Sequence, residues 1–363
     1  MDFGDGLAVG ICIGKNKKRN NSDTDKWIRP SDWPQLGTPT DNQIIMLVTT
    51  QWNTSPYESF SVYSYASSGT STPFGEGKVI TVDWGDGTIE NLEPWHESTN
   101  ANFGHYFYTN NSGGSPTWND GPVLNSGAHV FVIKITLPDG VYFEYNKSCE
   151  LLDVHIGKNI KFYSALSRCY MLEHIKLFGW LPNDDNYVTG QFENNPALCS
   201  VETTTPFTEI ANAIFRYCRS LREIDLSQCI TIGDNVFYEC NMENINAPLL
   251  ETIGESAFER CNKLATVELP KLVSVGKKAF YICSIEKINT PLLETVGESA
   301  FSMCYSLKTV ESPRLTNVGN YAFENCYSLV NISHADGWTL GSQPFRDCLK
   351  YYDNPNKSHP NYA

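Results

Sequence analysis

The chain has 363 residues, 41% of them hydrophobic, a formal charge of −14 and a pI near 4.9. Its length allows two or three domains with real cores, while its acidity argues against nucleic-acid phosphate as the main partner, because such surfaces need clustered Lys and Arg. No stretch approaches the ~18 apolar residues of a membrane helix.

In chain order, the segment Gly4 to Gly14, GDGLAVGICIG, comes first. It is too short to span a bilayer and too apolar for a free tail, and reads as an attachment strand carrying Leu7, Val9, Ile11 and Ile13. Acids precede it, bases follow it, and no small-residue cleavage site appears, so a secretory signal is not expected and Met1 is expected in the mature chain. The basic cluster Lys15, Lys17, Lys18 and Arg19 sits among Asn and Ser and reads as a solvated loop. Trp27 to Pro39, WIRPSDWPQLGTP, is dense in Trp and Pro, with Trp27 and Trp33 as candidate anchors. Residues 1–40 are therefore expected to form a docking segment.

Residues 41–145 read as a β-sandwich. Ile44 to Gln51 is an early strand, and Lys78 to Leu92 alternates around Gly85-Asp86-Gly87 as a hairpin with a Gly-rich turn. His129 to Gly140 is a further strand ending in a turn. Asp83 and Asp86 suit turn chemistry better than calcium binding or catalysis. Glu93 to Ala128 is rich in Asn, Ser and Gly, and Tyr106, Phe107, Tyr108 and Trp118 make it a secondary contact zone.

From residue 146 to about 350 the sequence repeats. IGESAFERCNKLATVEL, Ile253 to Leu269, returns as VGESAFSMCYSLKTVES, Val296 to Ser312, and as VGNYAFENCYSLVNIS, Val318 to Ser333. Phe–x–x–Cys pairs fall at Phe215/Cys218, Phe237/Cys240, Phe258/Cys261, Phe280/Cys283, Phe301/Cys304, Phe323/Cys326 and Phe345/Cys348. Their spacing is 21 or 22 residues, with one loop residue missing after Cys240 and Cys283. Degenerate copies precede them around Cys149, Leu166/Cys169 and Phe192/Asn195, where Asn replaces Cys. Such a period is the signature of stacked coils. Each unit reads as a short strand, a turn, an Ile/Val-Gly step and a short helical turn carrying Ala-Phe. Residues 351–363 form a tail.

Nine of the twelve cysteines share one repeat phase. They are expected to stack as buried free thiols that donate weakly to a loop carbonyl, a role Asn195 can also fill; Cys12, Cys199 and Cys229 lie out of phase. No CxxC or HxxxH spacing supports a metal site, no catalytic motif appears, and no cofactor is expected.

The repeat pattern resembles the BspA-type leucine-rich repeats of bacterial and protist surface proteins. That resemblance implies a solenoid with one strand face used for binding. The WGDG turn at Trp84 to Gly87, with His129, Phe131 and Ile133, resembles a PKD-like β-sandwich. The Trp27–Trp33 element, W-x-R-P-x-D-W, resembles one in virion proteins of phages infecting gut Bacteroidetes. The expected fold class is thus mainly β with short helices: an attachment segment, a PKD-like sandwich and a leucine-rich-repeat solenoid.

These resemblances imply a non-enzymatic virion appendage present in multiple copies. It would dock to other virion proteins through its N-terminus and contact a host surface protein or glycan, without nucleic acid or membrane insertion. A cell-surface adhesin and an intracellular protein-binding scaffold are the alternatives. The candidate contact residues flank the inward Ile or Val of each repeat strand: Glu223 and Asp225, Asn244 and Asn246, Thr266 and Glu268, Lys287 and Asn289, Thr309 and Glu311, and Asn331 and Ser333.

Overall fold

The computed structural model describes residues 28–50, 57–64, 73–106, 108–109, 117–118, 123–124, 129–145, 150–162, 166–179 and 190–352. Leu7, Val9, Ile11, Ile13, Trp27 and Phe107 lie outside the described residues, as do Cys12, Cys149 and residues 353–363.

The first strands are β1 (Gln43–Thr50), β2 (Tyr57–Ser64), β3 (Ile80–Asp83), β4 (Ile89–Leu92), β5 (Asn100–Tyr106), β6 (Tyr108–Thr109) and β7 (Thr117–Trp118). After them come β8 (His129–Thr136), β9 (Val141–Tyr145), β10 (Glu150–Gly157), β11 (Lys161–Phe162), β12 (His174–Phe178) and β13 (Ser200–Thr203). Two sheets result, ordered β13-β12-β10-β1-β8-β3-β4 and β11-β9-β2-β5, while β6 and β7 pair separately. Their inward side chains share a core in which Phe60 meets Trp84 at 6.0 Å and Phe143 at 5.6 Å. The β3–β4 hairpin turns at Trp84 to Gly87, as expected. Gly85 is obligatory there: its φ is +78°, and a Cβ would lie 2.6 Å from the Val132 carbonyl oxygen of β8.

The boundary expected at residue 146 crosses a continuous sheet. β10 pairs antiparallel with β1, and β12 and β13 then add in parallel, with Val154, Ile175 and Val201 in register. The first repeat coils thus cover the edge that β1 would otherwise leave open.

Beyond them each coil contributes to two parallel ladders. One contains β14 (Glu209–Ile210), β15 (Thr231–Ile232), β17 (Thr252–Ile253), β19 (Ser274–Val275), β21 (Thr295–Val296), β23 (Asn317–Val318) and β25 (Thr339–Leu340). The other contains β16 (Asn244–Asn246), β18 (Thr266–Glu268), β20 (Lys287–Asn289), β22 (Thr309–Glu311) and β24 (Asn331–Ser333). Glycines 254, 276, 297 and 319 follow the first ladder's strands, and each lies so close to the preceding coil that a Cβ would come within 2.6–2.7 Å of its backbone. The shorter coils lack the two-residue turn after Cys240 and Cys283, which leaves ladder register intact.

The helical turn expected in each repeat is absent. Among the described residues the only helix is α1 (Leu349–Tyr352), whose buried Tyr351 stacks on Phe345 at 4.7 Å, so residue 351 begins in the last coil rather than in a tail. In place of a helix, alternate amides donate to the next coil: Asn235 to Glu255 at 2.8 Å, Phe237 to Ala257 at 2.7 Å and Glu239 to Glu259 at 2.9 Å. Asn235 and Glu239 hold φ of 56° and 55° to aim these donors, and the same two positions recur with positive φ in the following coils. A right-handed helix would direct those N–H groups back within its own coil.

Inside the turns the phenylalanines form one column. Phe192, Phe215, Phe237, Phe258, Phe280, Phe301, Phe323 and Phe345 stack at 5.2–5.8 Å with near-parallel rings. Phe162 joins it to Phe143 of β9, making the core continuous across both regions. Beside the rings, Cys261 Sγ donates to the Phe237 carbonyl at 3.1 Å and Cys283 Sγ to that of Phe258 at 3.2 Å. Asn195 fills the same role, donating to the Leu166 carbonyl at 2.6 Å and accepting from the Cys169 amide at 2.7 Å. Every cysteine among the described residues is a free thiol. Out of phase, Cys199 donates to Glu173 and Cys229 to Thr231, each at 3.4 Å.

Phe280→Ala should lower the unfolding free energy by about 3–5 kcal/mol in urea titration, since the ring is buried on both faces. Burial pushes the Cys218 and Cys304 thiols up to about 12. At pH 8 the thiolate is therefore scarce, and iodoacetamide should leave both cysteines unlabelled until denaturant is added, as read by peptide mass spectrometry.

Candidate functional site

The ladder of β16, β18, β20, β22 and β24 presents a regular outer surface. Strand alternation sends Ile245, Val267, Ile288, Val310 and Ile332 into the core. The flanking side chains are exposed or half-buried on the outside. Parallel register stacks them in two rows, Asn244, Thr266, Lys287, Thr309 and Asn331 beside Asn246, Glu268, Asn289, Glu311 and Ser333. Lys287 crosses between rows to Glu311 at 2.7 Å. Glu223 and Asp225 are exposed in the preceding coil but lie outside any strand, where Asp225 accepts the Ser227 amide at 2.9 Å. On the turns leading into β22 and β24, Tyr305 and Tyr327 stack at 5.3 Å and are 48% and 45% exposed. Strand alternation, which selects only the residues flanking the inward Ile or Val, does not reach this aromatic pair; the signal was Tyr recurring directly after Cys in two successive repeats.

Trp33, expected to dock to another protein, is instead only 4% exposed. It packs with Leu36 against Ile45, Leu47, Leu124, Val130 and Leu152 on the outer face of the seven-stranded sheet. The run IIMLV in β1 carried the sign: it is apolar without alternation because Ile44, Met46 and Val48 face the main core while Ile45 and Leu47 face this second cluster. Burial of the indole removes it as an external anchor, and residues 28–40 are a strap over the sheet rather than a separate segment.

A polar cluster pins the strap. Asp153 of β10 is fully buried; its Oδ2 pairs with the Arg29 guanidinium and its Oδ1 accepts from His174 Nδ1 at 2.7 Å. His155, two residues along the same strand face, donates from Nδ1 to the Gly37 carbonyl at 2.6 Å. His174 Nε2 faces Glu202 Oε1 at 3.6 Å, and Glu202 is paired with Lys176 at 2.8 Å. Burial pushes both imidazoles down, to about 4, so both are neutral at pH 7. Asp153, His155 and His174 bring their donor atoms within 4.8 Å of one another. The sequence reading, which expected no metal ligands, did not connect them: the pattern is D-x-H on one strand plus a His about one coil later, a contact created by parallel pairing.

The other singled-out acids serve the hairpin turn. Asp83 accepts the Gly85 amide and Asp86 the Thr88 amide, each at 3.0 Å, and Asp86 also pairs with His105 at 2.8 Å. Tyr106 is exposed at the end of β5; Tyr108 and Trp118 occupy the paired strands β6 and β7.

Arg29→Ala should cost about 3–5 kcal/mol of unfolding free energy, because it leaves the Asp153 charge buried without its cation. Adding Asp153→Asn should recover part of that loss, as a double-mutant cycle in guanidinium would reveal.

The BspA type leucine rich repeat region family matches residues 143–250 and 230–351, more than half of the chain. No curated protein matches. Among solved structures, a leucine-rich repeat protein from Bacteroides ovatus is 23% identical, with 56% of this chain aligned to 60% of that one at a TM-score of 0.43. A leucine rich cell surface protein from Faecalibacterium prausnitzii is 16% identical over 58% of this chain and 70% of its own, with a TM-score of 0.37. A leucine-rich repeat protein from Eubacterium ventriosum is 21% identical over 58% of this chain and 60% of its own, with a TM-score of 0.39. The stacked coils, the Phe–x–x–Cys column and the match across residues 143–351 establish that this chain belongs to the BspA-type leucine-rich repeat family.

Proposed function

We propose that the chain is a non-enzymatic recognition protein whose repeat solenoid binds a protein or glycan at a surface through the β16–β24 face. The observation that carries this reading is the two in-register rows of polar and charged side chains on a parallel ladder. Rows of Asn, Thr and Glu at about 4.8 Å spacing offer regularly repeated donors and acceptors, which suit an extended polar ligand. The exposed Tyr305–Tyr327 stack beside them supplies an apolar platform of the kind that anchors recognition sites. Individually weak contacts suffice if several copies act together.

The finer reading is a virion appendage, with residues 1–40 toward the virion and a PKD-like sandwich as spacer. The Gly-rich segment 4–14 and the Trp27–Trp33 element support it at the level of sequence; the burial of Trp33 leaves Leu7, Val9, Ile11, Ile13 and Trp27 as the candidate docking residues. A cell-surface adhesin accounts equally well for the solenoid.

The test is retention of the tetramerised full chain on envelope fractions of the source community. A Lys287→Ala, Asn289→Ala, Glu311→Ala variant should bind at least about tenfold more weakly, while Thr252→Ala with Asn317→Ala on the other ladder should bind as wild type. Equal loss in both variants, or none in either, would refute the assigned face. Mass spectrometry of purified virions and of uninfected envelopes separates the two locations: fixed stoichiometry in virions supports the appendage, and presence only in envelopes supports the adhesin.

A further inference from the structure

We propose that Asp153, His155 and His174 form a binding site for a divalent cation of the zinc class, placed where the strap, the sandwich sheet and the first coils meet. The three residues supply two imidazoles and one carboxylate from adjacent strands β10 and β12, with donor atoms already within 4.8 Å of one another. Imidazole with carboxylate is the donor set preferred by zinc and its neighbours over calcium or magnesium.

A second feature points the same way: His155 has one ring nitrogen held from outside the cluster. Metal-ligating histidines characteristically hold the other ring nitrogen against a carbonyl or carboxylate, which sets tautomer and orientation. His155 Nδ1–H donates to the Gly37 carbonyl at 2.6 Å, so its Nε2 carries the lone pair. His174 turns Nδ1 to Asp153 Oδ1 at 2.7 Å, and its Nε2 lies 3.6 Å from Glu202 Oε1. Entry of the cation replaces the proton shared between His174 Nδ1 and Asp153 Oδ1. That proton passes to Nε2, beside the Glu202 carboxylate, so the imidazole stays neutral and no net proton is released.

Arg29 holds the other oxygen of Asp153. It lowers the net negative charge of the donor set, which weakens cation binding. Because Gly37 and Arg29 both belong to the strap, an ion here ties residues 28–40 to the start of the solenoid. The site is independent of the β16–β24 recognition face.

The experiment is calorimetric titration of the full, chelator-treated chain with zinc chloride, paralleled by the visible spectrum with cobalt(II). The expected result is one equivalent bound, a cobalt spectrum of nitrogen and oxygen ligands without thiolate charge-transfer bands, and at least about tenfold weaker binding in His155→Gln. His155 is only partly buried, so this variant should keep its fold, checked by circular dichroism; His96→Gln, an exposed histidine in a loop, should bind as wild type. Absence of binding up to millimolar zinc, thiolate bands in the cobalt spectrum, or unchanged affinity in His155→Gln would each overturn the assignment.

Discussion

The column of phenylalanine rings is the interaction on which the rest of the structure depends. A single coil of 21 or 22 residues encloses too few apolar atoms to offset the entropy of ordering its backbone. Stacking at 5.2–5.8 Å covers each ring on both faces, so that every coil completes the core of its neighbours. The column does not begin within the repeats: Phe60 and Phe143 of the sandwich lead through Phe162 into Phe192. The sandwich therefore closes the N-terminal end of the solenoid, while Tyr351 of α1 closes the other against Phe345.

The column imposes demands on the backbone around it. Coils close enough to stack their rings bring main chain against main chain, which is why glycine recurs at 254, 276, 297 and 319. The turn that carries each ring spends alternate amides on the next coil, and two residues per turn take up positive φ to aim them. Strain of about 1–2 kcal/mol per left-handed residue is offset by the inter-coil hydrogen bonds that these residues donate. The thiols complete the arrangement, small enough to fit beside the rings and able to donate to the Phe carbonyl of the preceding coil.

The outer surfaces follow from the same repetition. Parallel register places residues one repeat apart side by side, so a modest bias toward Asn, Thr and Glu in sequence becomes a continuous polar ladder. At the junction, parallel pairing brings Asp153 against His174, while Lys176 and Glu202 continue the polar set on the same face. There, a buried carboxylate is neutralised by an arginine from the strap, which joins the earliest described part of the chain to the first coils.

What the sequence by itself determined is everything carried by local periodicity. The repeat positions, the inward Leu, Ile, Val and Phe, the thiol role shared with Asn195 and the WGDG hairpin turn depend on neighbours in sequence or on the repeat spacing, and both are visible in one dimension. Only the tertiary structure decided the features that depend on which surfaces meet. A helix was expected over Ala-Phe because local propensity allows one; inter-coil hydrogen bonds replace it, and such bonds leave no mark on a single coil. Trp33 reads as an external anchor until the strap folds over β1, although the unbroken apolar run at Ile44 to Val48 already implied two covered faces. Asp153, His155 and His174 become one cluster only when β10 and β12 pair, because the distance between strands is set by the fold and not by the number of residues between them.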